Sequence, residues 1–566
     1  METPELLPAP PHIIGPTWRK NLEGSWHLPE KTLGWGILNW LFQYVRSPGG
    51  EHAGEGFVPT LEQARLILWW YAVDDTGRFV YRSGVLRRMK GWGKDPVAAA
   101  LSLAELCGPV AFMCFDQNGD PLGKTRHAAW IQLAAVSHEQ TKNTMSLFPV
   151  MISKEMKTEY GLDVNKTVIY SAEGGRIEAV TSSPTSMEGN RPTLVIRNET
   201  QWWVEAVQGH DMAGVIEGNI KKSPGGVARV LDICNAHIPG EDSVGERAWD
   251  AYQAVEGGQA VDVGMLYDAL ESPADTPVSE IPPKPRDIED PDYARQLAEH
   301  ETGMQKLREG LLVARGDSDW LDIETIIESV LDVRNPVTES RRKFLNQINA
   351  TEDAWIAPTE WDACQTSVKL QPKDRITLGF DGSKSNDYTA LVACRIDDAA
   401  LFPLKVWNPE QYGGEVPRED VDAMVHYAFA RYDVVAFRAD VKEFEAYVDQ
   451  WGAKYRKKIK VKASPNNPIA FDMRGQQKRF ALDCERFLDA VLEEELTHDG
   501  SPVLRSHILN AHRHPTNYDA ISIRKASKDS SRKIDAAVCA VLAFGARQDV
   551  LMSKKNRAGK AVVFRG

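Results

Sequence analysis

Between about residues 56 and 270 the chain alternates short β-rich runs with stretches of helical periodicity. That alternation restricts the fold more than any other feature. The runs are 84–88 (GVLRR), 112–115 (FMCF), 130–137 (WIQLAAVS), 167–172 (TVIYSA), 176–182 (RIEAVTS), 193–197 (TLVIR) and 228–235 (ARVLDICN). Strands separated by helices predict a largely parallel α/β sheet. A Pro- and acid-rich break at 271–292 follows, then helical patterns at 293–312 and 322–332. A second α/β unit opens with a hairpin-like strand pair at 374–396 and runs to about 547.

A chain of 566 residues exceeds one hydrophobic core, so two or three domains are expected. The net charge of -13 excludes a wholesale basic coat and leaves room for a local basic groove. The seven cysteines form no CxxC pair and no zinc spacing, so they read as reduced thiols of an intracellular protein. The acidic, Pro-rich start METPELLPAPPH is unlike a signal peptide. The longest apolar runs fall far short of the roughly 20 residues of a membrane helix. A soluble, cytoplasmic protein is expected.

The stretch RRMKGWGKDP at 87–96 approaches a phosphate-binding loop. Such a loop points backbone N–H groups and a helix N-terminus at phosphates while a lysine neutralises charge. Gly93 and Lys94 match the pattern GxxxxGK followed by Ser or Thr, with Gly91 beside them; Arg88 stands at the first glycine and Asp95 at the hydroxyl. Asp95 before Pro96 also reads as a helix N-cap. Downstream, 193–197 leads into Asn198-Glu199, where ATPases place an acid pair, and Glu199 would polarise the attacking water. Asn235 ends another buried strand, and Gln63 lies before the loop where some motors read adenine. With an acid in the loop and an amide on the strand, Asp95 and Asn198 are expected to have exchanged magnesium-binding roles.

A second constellation consists of carboxylates. Asp381 and Asp440 each end an apolar strand, and Asp535 begins a helix with Ile534, Val538, Val541 and Leu542 on one face. Each has a local alternative, as a turn residue, a helix cap or a charge on a helix dipole. Together they could meet at one rim of a sheet, where hard cations such as Mg²⁺ or Mn²⁺ would hold them. Two such ions can flank the oxygens of a phosphodiester. Asp387 and Asp433 are spare candidates, read in preference as loop and surface residues. His507, His512 and His514 match no usual zinc spacing.

In this order the motifs resemble those of the large terminase subunit of tailed bacteriophages, over about residues 55–547. The wording at 340–364 and 507–546 adds to the likeness. The resemblance implies an N-terminal P-loop-type ATPase domain, a helical linker and a C-terminal ribonuclease-H-like nuclease domain. The expected division is an arm at 1–55, the ATPase domain at 56–280, the linker at 281–368, the nuclease at 369–547 and a basic tail at 548–566. It implies ATP and Mg²⁺ as cofactors, with Mn²⁺ an option at the nuclease site. Lys94 and its loop would bind triphosphate, Glu199 would activate water, and Asn235 would couple hydrolysis to movement. Asp381, Asp440 and Asp535 would bind the nuclease metals, and Arg87 or Arg88 would stabilise transition-state charge. The implied partners are double-stranded viral DNA, the portal of the procapsid, a small terminase subunit and further copies in a ring, with no membrane. The implied place is the host cytoplasm, docked transiently on the portal. The basic segments at 454–462 and 522–533 and the tail are the candidate DNA contacts. The departures at Asp95 and Asn198 leave an alternative: a metal-dependent nuclease with a silent ATPase fold.

Overall fold

In the computed structural model, described for residues 6–181, 187–223, 226–258, 260–348, 354–383, 387–518, 520–525 and 533–553, the chain forms two compact units. One lies within Met1–Asn349 and the other within Ala350–Gly566.

The first unit contains strands β1 (Ile13–Ile14), β2 (Ser83–Arg87), β3 (Ala111–Phe115), β4 (Pro121–Lys124), β5 (Trp130–Ala135), β6 (Asp163–Val164), β7 (Val168–Tyr170), β8 (Arg176–Thr181), β9 (Leu194–Asn198), β10 (Arg229–Cys234) and β11 (Met265–Leu270). Nine form one sheet in the order β1-β11-β2-β10-β9-β5-β8-β7-β6. The six strands from β11 to β8 are mutually parallel, as the alternation predicts. β3 pairs only with β4, in a separate antiparallel ribbon, so the 112–115 run stays outside the sheet. β9 and β10 are buried along their whole length, which is why they read as near-continuous apolar runs.

Two expected boundaries move. Part of the 1–55 arm is structured: β1 adds an edge strand beside β11, and a helix spans Gly34–Tyr44. The 281–368 linker is not a separate body. Leu307, Leu311, Ile327 and Val330, from helices Tyr293–Arg315 and Ile323–Leu331, share one apolar core with Leu66, Leu101 and Leu231. Its last part, helix Pro358–Ala363, belongs to the second unit. Burial of apolar faces, rather than the Pro-rich break, decides where the units divide.

The second unit holds β12 (Arg375–Asp381), β13 (Thr389–Arg395), β14 (Ala400–Trp407), β15 (Asp433–Ala439), β16 (Thr497–His498), β17 (His512–Pro515) and β18 (Ile521–Arg524). The sheet order is β15-β12-β13-β14-β16. β12, β13 and β14 are antiparallel neighbours, and β15 returns parallel to β12, a ribonuclease-H-like arrangement. Helix Asp535–Met552 covers this sheet and is buried almost all round, as its apolar composition requires. Gly379 makes the fit close: a Cβ there would stand 2.0 Å from Cys539 O.

Candidate active sites

The loop after β2 is shaped by glycine. Gly91 and Gly93 hold φ of 89° and 99°, a region that disfavours side chains. Helix Lys94–Cys107 starts at Lys94 with left-handed Gly93 as its cap. Asp95 is therefore in the first turn and is not the N-cap that its place before Pro96 allows. Lys94 is buried, and its Nζ donates to the carbonyls of Arg88 at 3.0 Å and Met89 at 3.1 Å. Burial holds its ammonium below the usual lysine range, against the upward pull of Glu199 and Asp95.

The C-terminal ends of the parallel strands bring the remaining residues to this loop, the edge where open α/β sheets bind ligands. Asn198 Nδ2 donates to Asp95 Oδ1 at 3.1 Å, so the two residues that depart from the usual pattern touch. Thr144 Oγ1 donates to the same oxygen at 2.6 Å. Glu199 follows β9 in a left-handed conformation with φ 57° and accepts from Gln201 Nε2 at 2.5 Å. Asn235 Nδ2 donates to Arg88 O at 2.8 Å, the carbonyl that Lys94 also engages. Gln63 completes a capping box with Thr60, and its Nε2 would be 3.4 Å from a Cβ at Gly93. Gln63, Gly91, Gly93, Lys94, Asp95, Asn198, Glu199 and Asn235 thus converge.

The expected arginines do not. Arg87 is fully buried, donating to Glu271 Oε1 at 2.5 Å and to Asn346 O at 3.1 Å. Arg88 is fully buried too, ion-paired with Asp268 of β11 and packed between Trp18 and Trp92. Both guanidiniums serve the interior. Sequence reading missed Arg342, which stacks on Trp202 at 4.5 Å and feels the Glu199 charge.

In the second unit, Asp381 ends β12, Asp440 follows β15 with its N–H on Phe380 O at 2.9 Å, and Asp535 opens its helix. Asp440 and Asp535 are buried. Burial pushes the Asp381 carboxyl well above its ordinary range, and Asp535 and Asp440 push it further. Burial raises Asp440 against hydrogen bonds from Met473 N and Val441 N. Burial raises Asp535 to about 6. Asp535 Oδ2 is buried without a hydrogen-bond partner. Asp381, repelled by both Asp535 and Asp440, and the orphaned oxygen of Asp535 offer the oxygen donors that hard divalent cations prefer. Among the described residues no three His, Cys, Asp or Glu side chains are grouped so that they could hold a metal ion as they stand.

Asp387 lies beside this rim, ion-paired with Lys525 and, at 2.9 Å, with Lys533. Burial raises its carboxyl, the lysine hydrogen bonds outweigh that, and the net shift is downward. A groove of about 560 Å³ is lined by Met473, Arg474, Gln477, His514, Tyr518 and Val538, among others, and so adjoins Asp440 and the Asp535 helix. The basic segment 454–462, expected beside the acids, begins elsewhere. Lys460 Nζ is 3.7 Å from Asp433 at the start of β15, and Asp440 follows the other end, about 20 Å along the strand. Residues 526–532 and the tail from 554 lie outside the described residues.

Residues 430–549 match the family "Terminase large subunit, endonuclease domain", a span that includes Asp440 and Asp535. The chain belongs to the phage terminase large subunit family. It is 65% identical to the Gene 13 protein of Mycobacterium phage L5 and 63% identical to that of Mycobacterium phage D29, with 99% of each chain covered. Among solved structures, the HK97 bacteriophage large terminase has 17% identity and a TM-score of 0.43, over 91% of this chain and 100% of that one.

Proposed function

We propose that this large terminase subunit translocates double-stranded viral DNA into the procapsid by ATP hydrolysis and cuts the concatemeric genome with a divalent-metal-dependent nuclease. The observation that carries the motor reading is the convergence of Lys94, Asp95, Asn198, Glu199 and Asn235 on one glycine loop at the strand ends. ATP would sit on the N–H groups of Gly91–Lys94, drawing the Lys94 ammonium from the Arg88 and Met89 carbonyls to the phosphates. Glu199 would orient the attacking water, and Gln201 holds its carboxylate. Asn235 shares the Arg88 carbonyl with Lys94, so movement of that lysine reaches β10 and its neighbours. Asp95 with Asn198 would hold Mg²⁺, whose contribution is to neutralise phosphate charge.

At the nuclease rim Asp381, Asp440 and Asp535 would hold Mg²⁺ or Mn²⁺, which supply an activated water and stabilise the leaving oxygen. Lys525, Lys533 and the Arg474 groove would receive the DNA backbone, an interaction that weakens with salt. The partners of this reading are the portal of the procapsid, a small terminase subunit and further copies in a ring, in the host cytoplasm. Among the described residues no helix is long and apolar enough to cross a membrane.

One observation favours a second reading, a nuclease with a silent ATPase fold: one oxygen of Asp95 is already bound by both Thr144 and Asn198. Plasmid cleavage with Mn²⁺ and ATP turnover, measured on wild type, Glu199→Gln and Asp440→Asn, separate the two. The motor reading expects each variant to lose one activity and keep the other. Cleavage without turnover in the wild type, with portal-bound assemblies equally silent, would leave the second reading.

A further inference from the structure

A phosphate loop ordinarily offers magnesium a hydroxyl from the residue after its lysine, and here that residue is Asp95. The fold brings a hydroxyl to the same place from another element. Thr144 lies in the last turn of helix His138–Met145, which follows β5, the neighbour of β9 in the sheet. It is buried. A buried threonine inside a helix commonly gives its proton to the carbonyl four residues back, here that of Gln140. Thr144 Oγ1 instead donates to Asp95 Oδ1 at 2.6 Å, and the Gln140 carbonyl stands 3.5 Å from Asn198 Nδ2. Asn198 Nδ2 also donates to Asp95 Oδ1, at 3.1 Å. Loop, strand end and helix therefore meet at one carboxylate oxygen.

The chemistry of that meeting favours a cation. A hydroxyl has one proton and two lone pairs. The Thr144 proton is committed to Asp95, and among the described residues no donor takes the lone pairs. Asp95 also keeps its second oxygen clear of hydrogen bonds among the described residues. Magnesium is bound by one or two carboxylates with phosphate and neutral oxygens around them. Asp95 is such a carboxylate, and Thr144 is the neutral oxygen fixed beside it.

We propose that Thr144 supplies the hydroxyl of the magnesium site, in place of the loop residue. This rests on the motor reading above. The exchange between Asp95 and Asn198 then involves three residues: the acid moves from strand to loop, the amide takes the strand, and the hydroxyl comes from the helix after β5. The bond to Asp95 holds that hydroxyl in position before the metal arrives, so little freedom is lost on binding.

The test is binding of a fluorescent non-hydrolysable ATP analogue to the full-length protein in EDTA, in Mg²⁺ and in Cd²⁺, for wild type, Thr144→Val, Thr144→Ser and Thr144→Cys. The gain in analogue affinity on adding metal reports this site and not the carboxylate rim of the second unit. Thr144→Val, which keeps the shape and loses the oxygen, should lose about 10-fold or more of the Mg²⁺ gain while its affinity in EDTA stays within about 2-fold of wild type. Thr144→Ser should keep most of the gain. Thr144→Cys should lose the Mg²⁺ gain and recover it in Cd²⁺, because sulfur favours the softer ion. The native cysteines are common to all four proteins and cancel in the comparison. An undiminished Mg²⁺ gain in Thr144→Val would overturn the proposal. So would equal weakening with and without metal, which would make Thr144 a brace. A Thr144→Cys protein with no shift toward Cd²⁺ would reduce Thr144 to orienting Asp95 and overturn it as well. A wild type that binds no analogue under any of these conditions would refute the motor reading itself, and the Thr144 assignment with it.

Discussion

Replacing Asp535 by Asn probes the carboxylate rim through stability and metal binding together. Asp535 is 7% exposed, and burial raises its carboxyl to about 6, above the ordinary 3.8. Between those pH values the folded chain holds a proton that the unfolded chain has released, so stability falls as pH rises through the window. Above about pH 6 the whole penalty is present: two pKa units at 1.36 kcal/mol each, about 3 kcal/mol. Asn carries no charge but still buries an amide, so the net gain expected in Asp535→Asn at pH 7.5 is about 1–3 kcal/mol. For a unit of this size that is a rise of about 3–10 °C in the nuclease transition. The assay is calorimetry of the full chain in EDTA from pH 4 to 8, then with Mn²⁺. The gap between variant and wild type should close toward pH 4. Mn²⁺ should stabilise the wild type and fail to stabilise the variant. A variant less stable than wild type at pH 7.5 in EDTA, or one that gains as much from Mn²⁺, would refute the reasoning.

Two further outcomes follow from contacts in the first unit. Asp95→Ser removes the oxygen that Asn198 and Thr144 share, and ATP turnover should fall at least about 10-fold; adding Asn198→Asp should restore it, because the carboxylate returns on the strand side of the same contact. Failure of the double variant to recover would end the exchanged-ligand account. Glu105→Ala should destabilise the unit by about 3–5 kcal/mol in chemical denaturation, because it leaves Arg229 buried and unpaired. Glu105→Leu with Arg229→Met should cost much less, and an equal cost would show that packing rather than charge dominates there.

The candidate sites were legible where their residues are local. Gly91, Gly93 and Lys94 are adjacent, and their left-handed glycines and helix start follow from the residue types. Asp381, Asp440 and Asp535 could be read because each sits at the end of an apolar run, and strand ends in an α/β sheet meet at one rim. What stayed hidden depends on partners far along the chain. Arg88 occupies a loop position but is drawn inward by Asp268, 180 residues on. Thr144 reaches Asp95 across 49 residues, and Trp320 reaches Gly91 across 229. Neither carries a local signal. β11, MLYDAL, passed unnoticed, yet it pairs with β2 and carries the ion pair that fixes Arg88. The basic run at 454–462 shows the opposite error. Its composition suggested a DNA track at the acids, whereas Lys460 is paired with Asp433 at the far end of β15.

The most direct measurement is ATP hydrolysis by the full-length protein with and without double-stranded DNA, beside Glu199→Ala. The account predicts turnover stimulated by DNA and lost in the variant, whose Lys94 loop remains intact. Absence of turnover in the wild type even on portal-bearing procapsids, or turnover that survives Glu199→Ala unchanged, would contradict it.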